Sequence, residues 1–127
     1  MEINDITDAI IGRAIFIHQE LGPGLLESAY QRILVYELRK LGFEVEAEKE
    51  IPLTWDGNVL GESFRADLIV NGSVLVELKS TETQNPVFWK QTKTYTVVAD
   101  LKLGLLINFG LPTLVDGISR VANGELE

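Results

Sequence analysis

The stretch Phe64–Lys79 constrains the fold more than any other part of this chain. Two apolar runs of strand length flank Asn71-Gly72, the dipeptide that most readily supplies positive φ at both corners of a tight hairpin. The charges in these runs come two residues apart: Arg65 with Asp67, and Glu77 with Lys79. Residues two apart on a strand share a face, so each pair is expected to project together. A carboxylate among Val, Leu and Ile costs free energy unless something pairs with it. Regular alternation on a half-wet strand would also account for Val76-Glu77-Leu78-Lys79, and both readings stand at this level.

Chemistry separates them. Asp67 and Glu77 can hold one hard divalent cation, with the ammonium of Lys79 two residues beyond the second carboxylate. Magnesium, with manganese as its substitute, favours oxygen ligands, takes one or two carboxylates and keeps several waters. Water on such an ion becomes more acidic, and a nearby lysine can orient it or take its proton. That set suits hydrolysis of a phosphodiester. Arg65 is a candidate for contacting phosphate, or for neutralising Asp67.

Composition bounds the alternatives. A chain of 127 residues reads as a single domain, 1–127, large enough for one core. It has no cysteine, which excludes disulfides, thiolate zinc sites and cysteine nucleophiles. Its one histidine, His18, excludes a multi-histidine metal cluster. No apolar run approaches the roughly 20 residues that span a bilayer, and the N-terminus lacks a secretory pattern, so a cytoplasmic protein without membrane contact is expected. Eleven basic against nineteen acidic residues give a net charge of −8, with a pI near 4.6. Nucleic-acid affinity comes largely from Lys and Arg displacing counterions. This acidity counts against tight binding of a long duplex by the domain alone. A protein partner or a homo-oligomer could gather the few basic residues into one surface.

In chain order, Asn4–Leu21 reads as an amphipathic helix. Ile6, Ile10, Ala14 and Ile17 recur at helical spacing, and Asn4 or Asp5 is placed to cap it. Gly22-Pro23-Gly24 ends it. A second helix is expected over Leu26–Leu41, with Tyr30, Leu34, Leu38 and Leu41 as its stripe. Glu27 falls in its first turn, where a carboxylate complements the helix dipole. Phe43–Trp55 alternates as a strand with one wet face, and Pro52 suggests an edge. Its row of Glu44, Glu46, Glu48 and Glu50 reads as a solvated face rather than a metal site. Asp56-Gly57 turns the chain into Val59–Val70, expected to bend near Gly61. Asn71-Gly72 turns it again into Ser73–Lys79.

Pro86 suits the first turn of a helix running to about Ala99, although Thr92–Val98 is rich in β-branched residues. Leu101–Phe109 has the continuous apolar pattern of a doubly buried strand in the same mixed sheet. Thr113–Asn123 carries Leu114, Ile118 and Val121 at helical spacing but is short, so the conformation of 113–127 stays open. Fraying is expected from Gly124 to Glu127.

Asp67 followed by Glu77-Leu78-Lys79 resembles the D…(D/E)-x-K signature of the PD-(D/E)XK nuclease superfamily, with Ala66 where the signature has proline. The wider chain resembles its GxxExxY branch, through Leu21–Tyr30 (containing Gly24-x-x-Glu27-x-x-Tyr30), Arg65–Leu68, Val76–Lys79, Gln91, Tyr95 and Leu105–Gly110. The resemblance implies an α/β (α+β) restriction-endonuclease-like core, a mixed sheet of about four strands flanked by helices in the order α-α-β-β-β-α-β-tail. It also supports the helix over Pro86–Ala99.

It further implies a role for Glu27 as an acidic ligand or ligand-orienting group. Gln91 and Tyr95, neighbours at i and i+4, resemble a glutamine-x-x-x-tyrosine element of exonuclease-like branches, which holds the site lysine or the scissile phosphate. His18 corresponds to a histidine that some of those branches use as a metal ligand. The alternative is a core-edge histidine bonded to a backbone carbonyl. Tyr30, on the same side of its helix as Glu27, is expected either to bond into the site or to pack in the core.

The expected function is a metal-dependent phosphodiesterase of nuclease type. Its catalytic set is Asp67, Glu77, Lys79, Glu27 and Gln91, its substrate contacts are Arg65, Tyr95 and Tyr30, and its metal ligands are Asp67, Glu77, Glu27 and His18. The alternative is a nuclease-fold binding or assembly module that acts with a partner protein.

Overall fold

The structure is a computed structural model that describes residues 1–124 and, within them, every side chain but that of Glu62. Two helices, α1 (Ile3–Leu21) and α2 (Glu27–Lys40), lead into three strands, β1 (Val45–Trp55), β2 (Asn58–Val70) and β3 (Val74–Lys79). Helix α3 (Pro86–Val98) crosses over to β4 (Leu103–Asn108), and a short 3-10 turn at Leu114–Gly117 leads into β5 (Ile118–Ala122). The five strands lie side by side in chain order. Among the described strands only β3 and β4 run parallel, because α3 carries the chain back between them. The sheet is thus one strand wider than the expected four. No described helix is long and apolar enough to cross a membrane. The fraying expected at 124–127 falls, from residue 125 on, outside the described residues.

Turn chemistry sets the registers. Asn71 and Gly72 take φ of 52° and 61°, and Ser73 N–H closes the hairpin on the Val70 carbonyl at 3.0 Å. Asp56 and Gly57 do the same between Trp55 and Asn58, with φ of 52° and 75°. Gly61, at φ 79°, sits where the β1–β2 register slips between Pro52 and Thr54. Helix α1 is capped at Glu2, two residues before Asn4, the nearer expected cap. Asp5 serves from inside the first turn, its carboxylate accepting the Glu2 N–H at 3.3 Å.

Two apolar clusters cover the two faces of the sheet. Ile6, Ile10, Ala14 and Ile17 of α1, with Tyr30, Leu34 and Leu38 of α2, pack on Leu68, Val70, Val76 and Leu105. Each of the Ile, Leu and Val side chains among them contributes about 1.5–3 kcal/mol on burial. Tyr95, Val98 and Ala99 cover Ala66, Ile69 and Leu75 on the opposite face. Helix α3 comes close because Gly104 of β4 offers no side chain: a Cβ there would collide with Thr96 Oγ1. Thr92 and Thr96 tolerate that dry contact because each hydroxyl bonds four residues back, to the Phe88 and Thr92 carbonyls at 2.8 and 2.7 Å. Tertiary contact therefore overrides the weak helix propensity of the segment.

One irregularity in β1 bears on the site. Val45 and Ile51 are an even number of residues apart and would share a face on a regular strand, yet they belong to opposite clusters. Leu68 and Ala66 on β2 divide in the same way. Between the cross-strand pairs Ala47/Leu68 and Lys49/Ala66 stands Glu48, with a left-handed φ of 51°. Its register partner would be Asp67. Local twist of this kind re-aims side chains.

The tail departs from the helical spacing of Leu114, Ile118 and Val121, since β5 pairs with β4 from Ile107/Ile118 to Leu103/Ala122. Arg120 fastens the new edge to α1, donating to Thr7 Oγ1 at 2.8 Å and Asn4 Oδ1 at 2.9 Å.

Candidate active site

Strands β2 and β3 pair at Val70/Val74, Ile69/Leu75 and Leu68/Val76, and the ladder stops there. One step further the register would set Asp67 against Glu77, and like charges directly opposite are destabilising. Asp67 Oδ2 instead accepts the backbone N–H of Leu78 at 2.8 Å. The carboxylate replaces a ladder bond and is fixed where the strands part.

Glu77 is 4 % exposed, and its Oε1 is buried with no hydrogen-bond partner among the described residues. Leaving such an atom unpaired costs about 1–3 kcal/mol. Burial, and after it the charge of Asp67, pushes the Glu77 carboxyl up to about 9, with Lys79 pulling the other way. At neutral pH, without a cation, this group holds its proton.

Glu27 reaches the same place from α2. The loop before it is pinned twice: Ser80 Oγ donates to the Leu25 carbonyl at 2.6 Å, and the Tyr30 hydroxyl takes the Leu25 N–H at 3.1 Å while donating to the Gly22 carbonyl. Partial burial and then the Asp67 charge raise the Glu27 carboxyl above its usual range, and Lys79 again opposes. The three carboxyls and the ammonium therefore act within one electrostatic neighbourhood.

Lys79 is held from α3. Its Nζ donates to Gln91 Oε1 at 3.1 Å, and Gln91 Nε2 donates to the Tyr95 hydroxyl at 3.0 Å. Tyr95 stacks on Phe64 of β2, ring centroids 4.1 Å apart. The chain of contacts thus returns to the strand that carries Asp67. Lys79 Nζ also lies 5.0 Å from the centre of the Phe88 ring, a cation–π contact that helps to hold the side chain in place.

Several expected site residues stand elsewhere. Tyr30, expected to contact substrate, is fully buried, stacked on Phe109 at 4.3 Å, with its hydroxyl committed to loop backbone. It shapes the loop before Glu27 rather than reaching a ligand. His18 takes the core-edge alternative rather than the metal-ligand role: its Nε2 points at the Leu111 carbonyl at 2.9 Å and the ring lies beside Phe109. Arg65 does not neutralise Asp67; it is exposed and faces Glu50 across the β1–β2 ladder at 3.9 Å. Among the described residues no group of three or more His, Cys, Asp or Glu side chains is placed to hold a metal ion. The four-ligand set Asp67, Glu77, Glu27 and His18 is therefore not assembled.

Other residues were not foreseen as supports. Asn108 is fully buried and uses its whole amide. Its Oδ1 accepts from the Thr81 and Gly110 N–H groups, and its Nδ2 donates to Thr81 Oγ1 and Gln84 Oε1, all at 3.0 Å. It sits beside Lys79 in the parallel ladder and fixes the loop that leaves the site. A buried asparagine at the end of an apolar strand was the available signal. Phe64, Phe88 and Ser80 carried none.

The donor set fits a hard divalent cation. A buried, unpaired Glu77 oxygen beside the Asp67 carboxylate supplies two ligands of the right hardness, and such ions complete their shell with water and phosphate oxygens. A family model described as the PD-(D/E)XK nuclease superfamily matches residues 4–121. No curated protein and no solved structure is significantly similar to the chain.

Proposed function

Because the chain belongs to the PD-(D/E)XK nuclease superfamily, we propose that it hydrolyses phosphodiester bonds in nucleic acid, with magnesium or manganese, as a member of the GxxExxY branch. Asp67 and Glu77 would hold the cation. Bound there, the cation would polarise a phosphoryl oxygen and lower the pKa of water. Lys79, aimed by Gln91 and Tyr95, orients the attacking water and offsets negative charge developing on the phosphoryl oxygens. Glu27 sits at the edge of the carboxyl cluster and helps to hold the water network.

The observation that carries this reading is the Glu77 Oε1 atom, buried without a partner next to Asp67. Nothing in packing or strand pairing requires a carboxylate there, whereas a cation would.

The test is a calorimetric titration of magnesium and manganese into the protein and into Asp67→Asn. The amide oxygen of the substituted side chain can still accept the Leu78 N–H, so the fold is expected to survive. Binding and metal-dependent cleavage should both vanish in the variant. Cleavage retained in Asp67→Asn would sink the assignment.

A second reading, a binding module that does not cut alone, draws on the net charge of −8. It is favoured if the protein binds metal and nucleic acid without any turnover.

A further inference from the structure

Helix α2 and the start of β1 enclose a groove of about 770 Å³ that the carboxyl cluster does not use. Its near end is formed by Ser28, which follows Glu27, and by Glu48, which falls between the register pairs Ala47/Leu68 and Lys49/Ala66 that flank Asp67. From there it follows α2 past Arg32 and Tyr36 to Arg39 and Lys40. At 1.5 Å per residue, that is roughly 18 Å of helix.

The charge of this groove is opposite to that of the molecule. Three of the eleven basic residues line it, against the single acid Glu48 at the site end. Arg32 is exposed and forms no ion pair among the described residues. Arg39 is held in place by its Nη2, which donates to the Val45 carbonyl at 2.7 Å. Lys40 is held by Glu37 at 3.0 Å and lies over the Tyr36 ring. Tyr36 itself is 66 % exposed; the Lys40 ammonium covers one face of its ring, and among the described residues no aromatic ring stacks on it. Cations that track a backbone, interleaved with an aromatic on which bases stack, are the chemistry of single-strand recognition.

We propose that this groove binds single-stranded nucleic acid and leads it to the carboxyl cluster. The inference rests on the proposed hydrolase reading for its direction toward Asp67 and Glu77. Phosphates lie against Arg32, Arg39 and Lys40, and one base stacks on Tyr36. A duplex is disfavoured because its second strand would meet the acidic remainder of the surface.

The test measures binding of a fluorescent oligothymidylate of about twelve nucleotides by anisotropy, in EDTA so that cleavage plays no part. Arg32→Ala combined with Tyr36→Ala should weaken binding by roughly tenfold or more. Arg32→Ala alone should reduce the slope of log K against log salt by about 0.7, a change that loss of structure would not mimic. Both side chains are exposed, and thermal melting checks the fold. Lys102→Ala removes one exposed cation outside the groove and should leave affinity within about twofold.

Unchanged affinity in the double variant, an equal loss in Lys102→Ala, or no binding by the wild type overturns the groove. Preference for duplex or for polyglutamate does so too. Hydrolysis of a small chromogenic phosphodiester by the wild type with manganese reports on the carboxyl cluster alone. Hydrolysis without strand binding overturns the groove and keeps the hydrolase. Groove-dependent strand binding without hydrolysis keeps the groove and overturns the hydrolase.

Discussion

Asp67 and Glu77 occupy the first step past the last paired residues of β2 and β3, and Asp67 there takes the N–H of Leu78 that a strand partner would have taken. The parting of two strands is thus what opens the site. Two carboxyls crowd into the gap, and one of them is buried with an oxygen unpaired.

That crowding has a pH signature. The Glu77 carboxyl is raised from 4.5 to about 9 in the folded chain, by burial first and by Asp67 second. Over that window the native state keeps a proton that the unfolded state releases, so stability falls as pH rises, by at most about 1.4 kcal/mol per pH unit. Glu77→Gln removes the titration. Its melting temperature should exceed that of the metal-free wild type at mildly alkaline pH and converge with it toward pH 4.5. Parallel melting curves across this range would refute the burial of a proton at Glu77.

Lys79 is only as well placed as Gln91 makes it. Gln91→Ala should lower kcat for metal-dependent cleavage by about 10–100-fold, the scale of losing a supporting hydrogen bond or misplacing a reacting group by about 1 Å. Magnesium affinity measured by calorimetry should hardly move, because Gln91 touches the lysine and not the carboxyls. Tyr95→Phe, which frees Gln91 Nε2, should show a smaller loss of the same kind.

Tyr30→Phe deletes one hydroxyl that serves two backbone groups, the Gly22 carbonyl and the Leu25 N–H. The stacking on Phe109 survives. A loss of about 1–3 kcal/mol is expected from the urea midpoint. Amide exchange should quicken over Gly22–Leu26, because the hydroxyl closes that loop.

Asn108→Ala strips four hydrogen bonds from the loop behind Lys79. The Thr81 and Gly110 N–H groups lose their partner, which should cost about 2–4 kcal/mol in denaturant unfolding, from two unsatisfied donors. Asn108→Asp keeps the two accepted bonds but buries a carboxylate and sets an acceptor against Thr81 Oγ1 and Gln84 Oε1, so at neutral pH it should destabilise at least as much.

Much of this architecture could be read from local chemistry. Asn71-Gly72 and Asp56-Gly57 placed both hairpins because each dipeptide tolerates the positive φ it adopts, and the α1 stripe of Ile6, Ile10, Ala14 and Ile17 is buried as its spacing implies. Strand β5 was hidden because Leu114, Ile118 and Val121 repeat at a helical interval, and a short segment pairs according to the edge that β4 offers it. Asp67, Glu77 and Lys79 were visible as charges in apolar strands. The supports were not: Phe64, Phe88, Ser80 and Asn108 act across elements, and no local pattern marks such contacts. Tyr30 and His18 each carried two readings for a related reason, and the core reading holds for both. A polar tip on an apolar helix face satisfies a nearby backbone carbonyl as readily as a ligand, and the sequence does not say which is nearer.

Glu48 holds a left-handed backbone at φ 51°, a conformation that costs a residue other than glycine or asparagine about 1 kcal/mol or more. Straightening β1 at this point would recover that free energy and make a more heat-tolerant domain. It would also undo the change of face shared with β2 and turn Asp67 away from the gap between the strands. Thermostability and competence pull in opposite directions at a single residue, and a library selected only for survival of heating should drift there first.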